Sequence, residues 1–165
     1  MRVPPETVYQ TLFEFICQIA APQSDGSPSL TPLQTKSRHW RPWDTVGSDA
    51  MPAFFQLQPP NAFRMSQNRA PGQHVYKLHA SLFFYFAVDV DNFETTPSTT
   101  LNNYFTAIDN LLRPPIQSPG GSRQQIGLGP GVENVLVDGE NIVMDEGLIN
   151  PPAILLVPLT ILLGA

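Results

Sequence analysis

The sequence has little that would support metal binding or redox chemistry through a familiar motif. Of its 165 residues, three are histidines and one is a cysteine, Cys17. A single cysteine excludes a disulfide framework. The histidines form no HxxxH pair, so the chain has no zinc site of ordinary spacing. We therefore expect no metal, no cofactor and a structural role for Cys17 as a small residue near the core.

Charged residues are also scarce, at 14% of the chain, whereas about a quarter is usual in soluble domains. The formal net charge of −5 argues against a protein whose main task is to grip phosphate backbones, since that task needs clustered lysine and arginine. Proline, by contrast, is abundant, at 18 residues. We expect a folded chain with long loops and a surface suited to being covered by partners.

Long apolar runs are missing as well. The apolar segment AILLVPLTILL, residues 153–163, is too short for a membrane helix of roughly 20 residues and contains Pro158. We interpret it as a buried strand that is apolar on both faces. Because proline lacks a backbone donor, we expect Pro158 at a sheet edge or a bulge. The N-terminus shows no secretory leader pattern, and we expect no membrane association.

Two segments have the periodicity of amphipathic helices. In the first, residues 5–22, apolar side chains recur at helical spacing at Val8, Leu12 and Ile16. In the second, residues 97–113, they recur at Leu101, Tyr104, Phe105, Ile108, Leu111 and Leu112. Proline follows each segment and should end the helix.

The segment 73–90 alternates strictly between two faces, which predicts a β-strand. At about 3.3 Å per residue it would run roughly 50 Å, longer than the diameter of about 40 Å expected for a domain of this size. We therefore expect it to bend or project. Its second face carries Phe83 and Tyr85, which a helix or a neighbouring subunit should cover.

The remaining segments complete the predicted fold. Two short strands, TKSRHW and MPAFFQLQ, flank the turn WDTVGSD, and Asp138-Gly139 between two apolar runs predicts a hairpin with a type I′ turn. Loops rich in proline and glycine are expected at 23–35, 59–72 and 114–132, and the strands that flank 59–72 should pair as a wide hairpin. We predict one α+β domain over residues 1–165, with a mainly antiparallel mixed sheet and two α-helices packed on one face.

Neither of two short motifs is typical of a ligand site. DVDNFE, residues 89–94, begins like a calcium loop but lacks the glycine at position six and the glutamate at position twelve. GLGPGV, residues 127–132, lacks the lysine and hydroxyl residue of a phosphate loop. No nucleophile and base can be paired by spacing, so we expect no catalytic residues and no enzyme.

The richest cluster of aromatic and basic residues is RHWRPWD, residues 38–44. Three interpretations remain open for Arg38, Trp40, Arg41 and Trp43. Trp40 packs under its own turn with Arg41 paired to Asp44, the cluster anchors a protein interface, or the indoles stack on nucleic-acid bases. The acidic net charge disfavours the third interpretation.

In the order of its elements the chain resembles the tail terminator family of long-tailed bacteriophages, also called tail completion or minor tail proteins. The resemblance rests on the N-terminal helix, on RHWRPWD followed by MPAFFQLQ, and on the aromatic strand HVYKLHASLFFYFAVDV before the helix TTLNNYFTAIDNLL. It extends through VENVLVDGENIVMDEG to the apolar strand AILLVPLTILL. The three Pro-rich loops look expanded relative to the family.

The resemblance implies a homo-oligomeric ring, typically a hexamer, at the neck end of the virion tail. Such a ring caps the tail tube, stops its polymerisation and meets a head-side neck or connector protein, while DNA passes through the lumen without specific grip. The protein would be made in the host cytoplasm. We expect interface residues in the long strand and the aromatic cluster: Arg38, Trp40, Arg41, Trp43, Phe54, Phe55, Lys77, His79, Phe83 and Tyr85.

Two other functions remain open from the sequence. One is another virion connector or a tail-tube-like subunit with a similar core. The other is a small hydrolase or ligand-binding domain that uses a cleft beneath the Gly-rich loop.

Overall fold

Most of the helices and strands form where the periodicity of the sequence predicts them. A computed structural model of the chain describes residues 4–19, 30–60, 63–66, 75–89, 91, 96–112, 128, 131–147 and 152–163. These residues contain helices α1 (Pro5–Cys17) and α2 (Pro97–Leu112) and strands β1 (Thr35–Ser37), β2 (Ala53–Leu57), β3 (Phe63–Ser66), β4 (Val75–Phe86), β5 (Val132–Val137), β6 (Val143–Asp145) and β7 (Ala153–Leu163). Most of the predicted loops 23–35 and 114–132, of the calcium-like segment and of GLGPGV lies outside the described residues.

The strands form one mixed sheet in which most neighbours are antiparallel. Its order is β1-β2-β4-β7-β5, with β3 beside β4 and β6 beside β7. The predicted α+β class is confirmed, and so is the wide antiparallel pairing of the two strands that flank 59–72. Two details differ. Strand β3 lies inside that predicted loop, and the strand predicted over TKSRHW is confined to Thr35–Ser37, where it pairs with β2 in parallel.

Both helices pack on the same face of the sheet, as predicted. The alternating residues of β4 and β7 that point to this face are buried, and the apolar stripes of α1 and α2 close over them. Two tyrosines tie other segments to this core: the Tyr9 hydroxyl donates to the carbonyl of His79 at 2.9 Å, and the Tyr104 hydroxyl donates to the carbonyl of Thr31. We call this the helix face, and the opposite side of the sheet the outer face.

Of the two outcomes expected for the long strand, bending or projecting beyond the core, projection is wrong for its described residues. Strand β4 has 12 residues, and from Tyr76 to Phe86 every one is paired with β7, while β2 and β3 pair with its other edge. The strand is accommodated because β7 is almost as long and lies alongside it. Strand β4 is therefore paired within one molecule along the whole of its β7 edge from Tyr76 to Phe86, and along most of its other edge.

The predicted hairpin at Asp138-Gly139 is also wrong. Strands β5 and β6 pair with β7 one after the other and not with each other. Gly139 begins a short 3₁₀ turn between them, and the positive-φ glycines of the described residues are Gly131 and Gly147. Each of the two short strands is thus stabilised by pairing with the long strand β7 and not by pairing with the other short strand.

Pro158 lies in the middle of β7, which is not an edge strand, so the predicted edge position is wrong. Ser81 of β4 lies opposite it on one side. On the other side it faces the corner between β5 and β6, where its carbonyl accepts a hydrogen bond from the Asp138 backbone N–H at 3.0 Å. The N–H and C=O of one strand residue point to the same side. A backbone N–H at position 158 would therefore point into this corner, where the hydrogen-bond ladder between the strands is interrupted. The missing N–H of proline thus does not break the pairing of β7.

The C-terminal apolar segment forms a strand, as expected. Among the described residues no helix is long and apolar enough to cross a membrane.

Candidate functional site

The aromatic cluster of the sequence folds over the outer face at the C-terminal end of β4. Trp40 packs on Phe83 with ring centroids 5.7 Å apart, and the Tyr85 hydroxyl donates to the carbonyl of Arg41 at 2.9 Å. Ala53, Phe55 and Tyr85 form a small second core beneath the turn, with Val46, Met51, Phe83 and Ile154 packed around it. The prediction that a helix or a neighbouring subunit covers Phe83 and Tyr85 is therefore wrong for Tyr85, which the chain's own turn buries, while Phe83 stays half-buried.

Local sequence explains the shape of this turn. Pro42 and Gly47 each precede a 3₁₀ turn, over Trp43–Thr45 and Ser48–Ala50. The Thr45 hydroxyl closes the first turn by donating to the carbonyl of Pro42 at 2.7 Å. The Thr35 hydroxyl then joins the end of the second turn to β1 by donating to the carbonyl of Ala50 at 2.9 Å. The turn is therefore fixed at both ends.

Three of the predicted interface residues are buried inside the molecule. Phe54 and Phe55 are fully buried and Tyr85 nearly so. These three side chains belong to the cores of the molecule and are not available to a partner in this conformation. The sequence pattern did not separate them from exposed aromatics, because β2 is covered on both faces.

Arg38 has a partner inside the molecule. Its guanidinium forms an ion pair with Glu6 of α1, with a second contact to Glu6 Oε2 at 3.2 Å and one to Gln10 Oε1 at 3.2 Å. The hydrogen bond from Arg38 lowers the pKa of Glu6 below its ordinary value. Arg38 thus anchors the start of the turn to α1. No salt bridge joins Arg41 to Asp44, although both are described, so the predicted pair is absent.

Trp43 stands at the mouth of a groove with a volume of about 250 Å³. Its walls are mainly apolar and include Trp43, Val46, Met51, Val88 and Pro152, with Asp44 as the charged side chain. The indole is 39% exposed. We call this the Trp43 groove. Trp40 is equally exposed, at 38%, although it packs on Phe83; Trp43 differs from it in lining the groove.

Beyond the turn, the outer face of the sheet carries exposed and half-buried apolar side chains, interrupted by the polar side chains of Ser81, His79 and Thr160. Leu136 and Val143, which lie beside Thr160 and Leu156 of β7, are 45% and 46% exposed. Half-buried neighbours on the same face are Phe83, Leu156, Pro158 and Leu162. We call this surface, from Phe83 and Val143 to Leu162, the open sheet face. Sequence reasoning missed Leu136 and Val143; the available signal was that β7 is apolar on both faces.

Lys77 and His79 lie on the outer face at the other end of β4. Lys77 is exposed and pairs with Leu162, which in turn pairs with Asn134 of β5. His79 Nδ1 lies 3.1 Å from the hydroxyl of Thr160. His79 is therefore part of the sheet's own hydrogen bonding, whereas Lys77 presents its charge to solvent.

Comparisons with known proteins add no family. A scan against models of protein families matched none, and a search of curated proteins found no match. The chain's own residues and the resemblance in element order therefore carry the functional proposal below.

The described residues offer no obvious chemistry in these surfaces. They contain no group of three or more histidine, cysteine or acidic side chains that could hold a metal ion. Burial raises the pKa of the Cys17 thiol, which keeps it protonated and a poor nucleophile. Burial also raises the pKa of Tyr85, an effect that a hydrogen bond with the Trp40 side chain opposes. The candidate functional site consists of two surfaces, the open sheet face and the Trp43 groove.

Proposed function

We propose that this chain is a structural subunit of a bacteriophage particle, a tail-terminator-like protein whose copies assemble into a ring. The observation that carries the proposal is the open sheet face. The resemblance in element order over nearly the whole chain supports it, as does the α+β fold with both helices on one face.

The open sheet face is costly to leave in water. Apolar surface gains about 25 cal/mol for each Å² removed from solvent, and contiguous exposed apolar patches commonly mark association sites. Here the patch lies on the regular backbone of a sheet, and its most exposed side chains, Leu136 and Val143, lie on the edge strands β5 and β6. Such a surface is rigid before binding, so a partner that covers it does not have to order it first. In the proposed ring the partner is a neighbouring copy.

At the level of the particle, the ring would cap the tail tube at the neck end of the virion and stop its polymerisation. Its partners would be the tail tube protein on one side and a head-side neck or connector protein on the other. The chain's net charge of −5 suits a lumen through which DNA moves, because a strongly basic lumen would bind the phosphates and retain them.

The mass of the native assembly tests this proposal. We expect the purified protein to form a closed ring of defined mass, and electron micrographs to show one ring at one end of each tail tube. The double variant Leu136→Gln/Val143→Gln should shift the mass towards monomer. The control Glu140→Gln changes an exposed side chain of the 3₁₀ turn between β5 and β6 and should assemble normally.

Three results would contradict the proposal. If the protein is a monomer at all concentrations, it does not form a ring. If a small molecule also raises the melting temperature of that monomer, a ligand-binding domain is favoured. Unlimited stacking into tubes would favour a tube-like subunit. Unchanged assembly of the double variant would show that the open sheet face is not the contact.

A further inference from the structure

A ring of identical subunits uses two different surfaces on each copy, one for each neighbour. The open sheet face supplies only one of them. Resting on the ring proposed above, we infer that the second surface is the Trp43 groove, and that it receives the Lys77 end of the open sheet face of the next copy.

The groove has the properties of the receiving side. Its walls are apolar, its volume is about 250 Å³, and an indole stands exposed at its mouth. Tryptophan in such a pocket is the side chain that most often dominates the energy of an interface. A long side chain with an apolar stem and a charged tip would fit this combination, because its stem would contact the walls while its tip stays near water.

The charges around the groove select a cationic tip. Asp44 is part of the wall, and two further carboxylates, Asp49 and Asp89, lie in the segments that build it. Arg41, on the same turn, offsets one of these charges and leaves the rim acidic. The exposed indole of Trp43 adds an attraction for a cation placed over its ring.

The Lys77 end of the open sheet face is complementary. Lys77 is exposed on the outer face, with the half-buried Leu162 directly beside it across the strand pair. On the other side of β4, Arg64 of β3 is in register with Lys77. This end therefore offers a lysine next to an apolar side chain, the combination that the groove accepts.

The geometry forces the contact to join two molecules. The groove begins just beyond Phe86, at one end of β4, and Lys77 is nine positions back along the strand. Nine residues of β-strand span about 30 Å, so no side chain of one molecule reaches from one site to the other. A contact between them is head-to-tail, and it closes a ring when the rotation from one copy to the next is a whole fraction of a full turn.

Two single variants and their mixture test this arrangement. Lys77→Glu removes the inserted side chain but keeps the groove, whereas Trp43→Ala removes the groove's anchor but keeps Lys77. We expect each variant alone to be monomeric at concentrations where the wild-type protein forms rings, with association at least tenfold weaker. An equimolar mixture retains one intact pair of surfaces and should give a one-to-one dimer. Denaturation midpoints close to that of the wild type would confirm that both variants fold.

A charge exchange provides the matched test of electrostatic pairing. Asp44→Lys alone should weaken assembly, and the double variant Lys77→Glu/Asp44→Lys should recover much of it. Glu140→Lys makes the same change of charge away from the groove and should assemble as the wild type does.

The possible failures are distinguishable. If the wild-type protein forms rings and these variants do so equally well, or if the mixture stays monomeric, the proposed pairing is wrong while the ring stands. If the wild-type protein is itself monomeric, both the ring and the pairing are overturned.

Discussion

Tyr85 holds the aromatic turn by its hydroxyl, which donates to the carbonyl of Arg41 at 2.9 Å. The ring of Tyr85 belongs to the small core on the outer face, with Phe55 at a centroid distance of 5.6 Å. One side chain thus joins the central strand β4 to the turn that carries Trp43. The position of the groove depends on this link.

We expect Tyr85→Phe to lower the free energy of unfolding by about 1–2 kcal/mol, because the Arg41 carbonyl loses its donor while the ring stays in place. Urea denaturation would measure the loss. Thr45→Ala is the control, since its hydroxyl bond to Pro42 is exposed and local, and it should cost about 0.5 kcal/mol or less. Equal losses in the two variants would contradict a special role for Tyr85.

Gly147 and Gly139 form a matched pair for substitution by alanine. Gly147 has a φ of +71°, and a Cβ there would lie 2.9 Å from the backbone N of Ala153 and 2.9 Å from the carbonyl carbon of Pro152. Gly147→Ala should therefore lower the free energy of unfolding by more than about 2 kcal/mol. At Gly139 a Cβ meets nothing within 4 Å. Gly139→Ala should be neutral or raise the free energy of unfolding by up to about 1 kcal/mol. A large loss would contradict the structure, because it would indicate the positive φ that a type I′ hairpin turn requires at Gly139.

Gln56 is the buried polar side chain of the helix face. Its Nε2 donates to the carbonyl of Tyr9 at 2.9 Å, but its Oε1 has no partner among the described residues. Gln56→Leu removes the unpaired acceptor, and we expect it to raise the free energy of unfolding by about 1 kcal/mol. Gln56→Glu would bury a charge in the same place and should cost several kcal/mol at neutral pH. Denaturant titration of both variants decides the point, and a destabilised Gln56→Leu protein would contradict it.

Alkaline pH should destabilise the fold. Burial raises the pKa of Tyr9 and of Tyr104 to about 12, from an ordinary value near 10. Below pH 10 both tyrosines are protonated in the folded and unfolded chains, so their pKa shifts do not change the free energy of unfolding. Between about pH 10 and 12 the unfolded chain loses its protons first, and stability falls as pH rises.

The measurement is the free energy of unfolding at about pH 9 and about pH 11. Tyr104→Phe removes one of the two groups and should give a smaller difference between these values, and Tyr9→Phe/Tyr104→Phe a smaller one still. If the double variant keeps the full difference, other groups are responsible.

The sequence predicted the layers of the fold because their signals are local. Helical spacing located α1 and α2, and strict alternation located β4, since each pattern depends on neighbours within one segment. The pairing around Asp138-Gly139 was not predictable in the same way. Asp138-Gly139 is typical of the turn in an isolated hairpin, in which β5 would pair with β6. Strand β7 is a longer partner for both, and the sequence does not show which of the two pairings is more stable.

The candidate site was predicted only in part. The cluster at 38–44 was recognised as aromatic and basic, but its pattern does not show that Trp40 packs on Phe83 while Trp43 lines a groove with Val88. These contacts depend on how the turn folds over the sheet. The apolar faces of β7 indicate that its outer face is apolar, but the exposure of Leu136 and Val143 also depends on both helices packing on the opposite face.

The corner at Pro158 has a consequence for how copies can meet. Because β5 and β6 share β7 in succession, the rim of the sheet on that side is cut into pieces of six and three residues, and β1 on the opposite rim has three. Rims this short give little backbone for a foreign strand to extend, so fibril-like stacking by main-chain hydrogen bonds is disfavoured. In the proposed ring, copies of this chain would therefore recognise one another through side chains, and the shape of those side chains would set where growth stops.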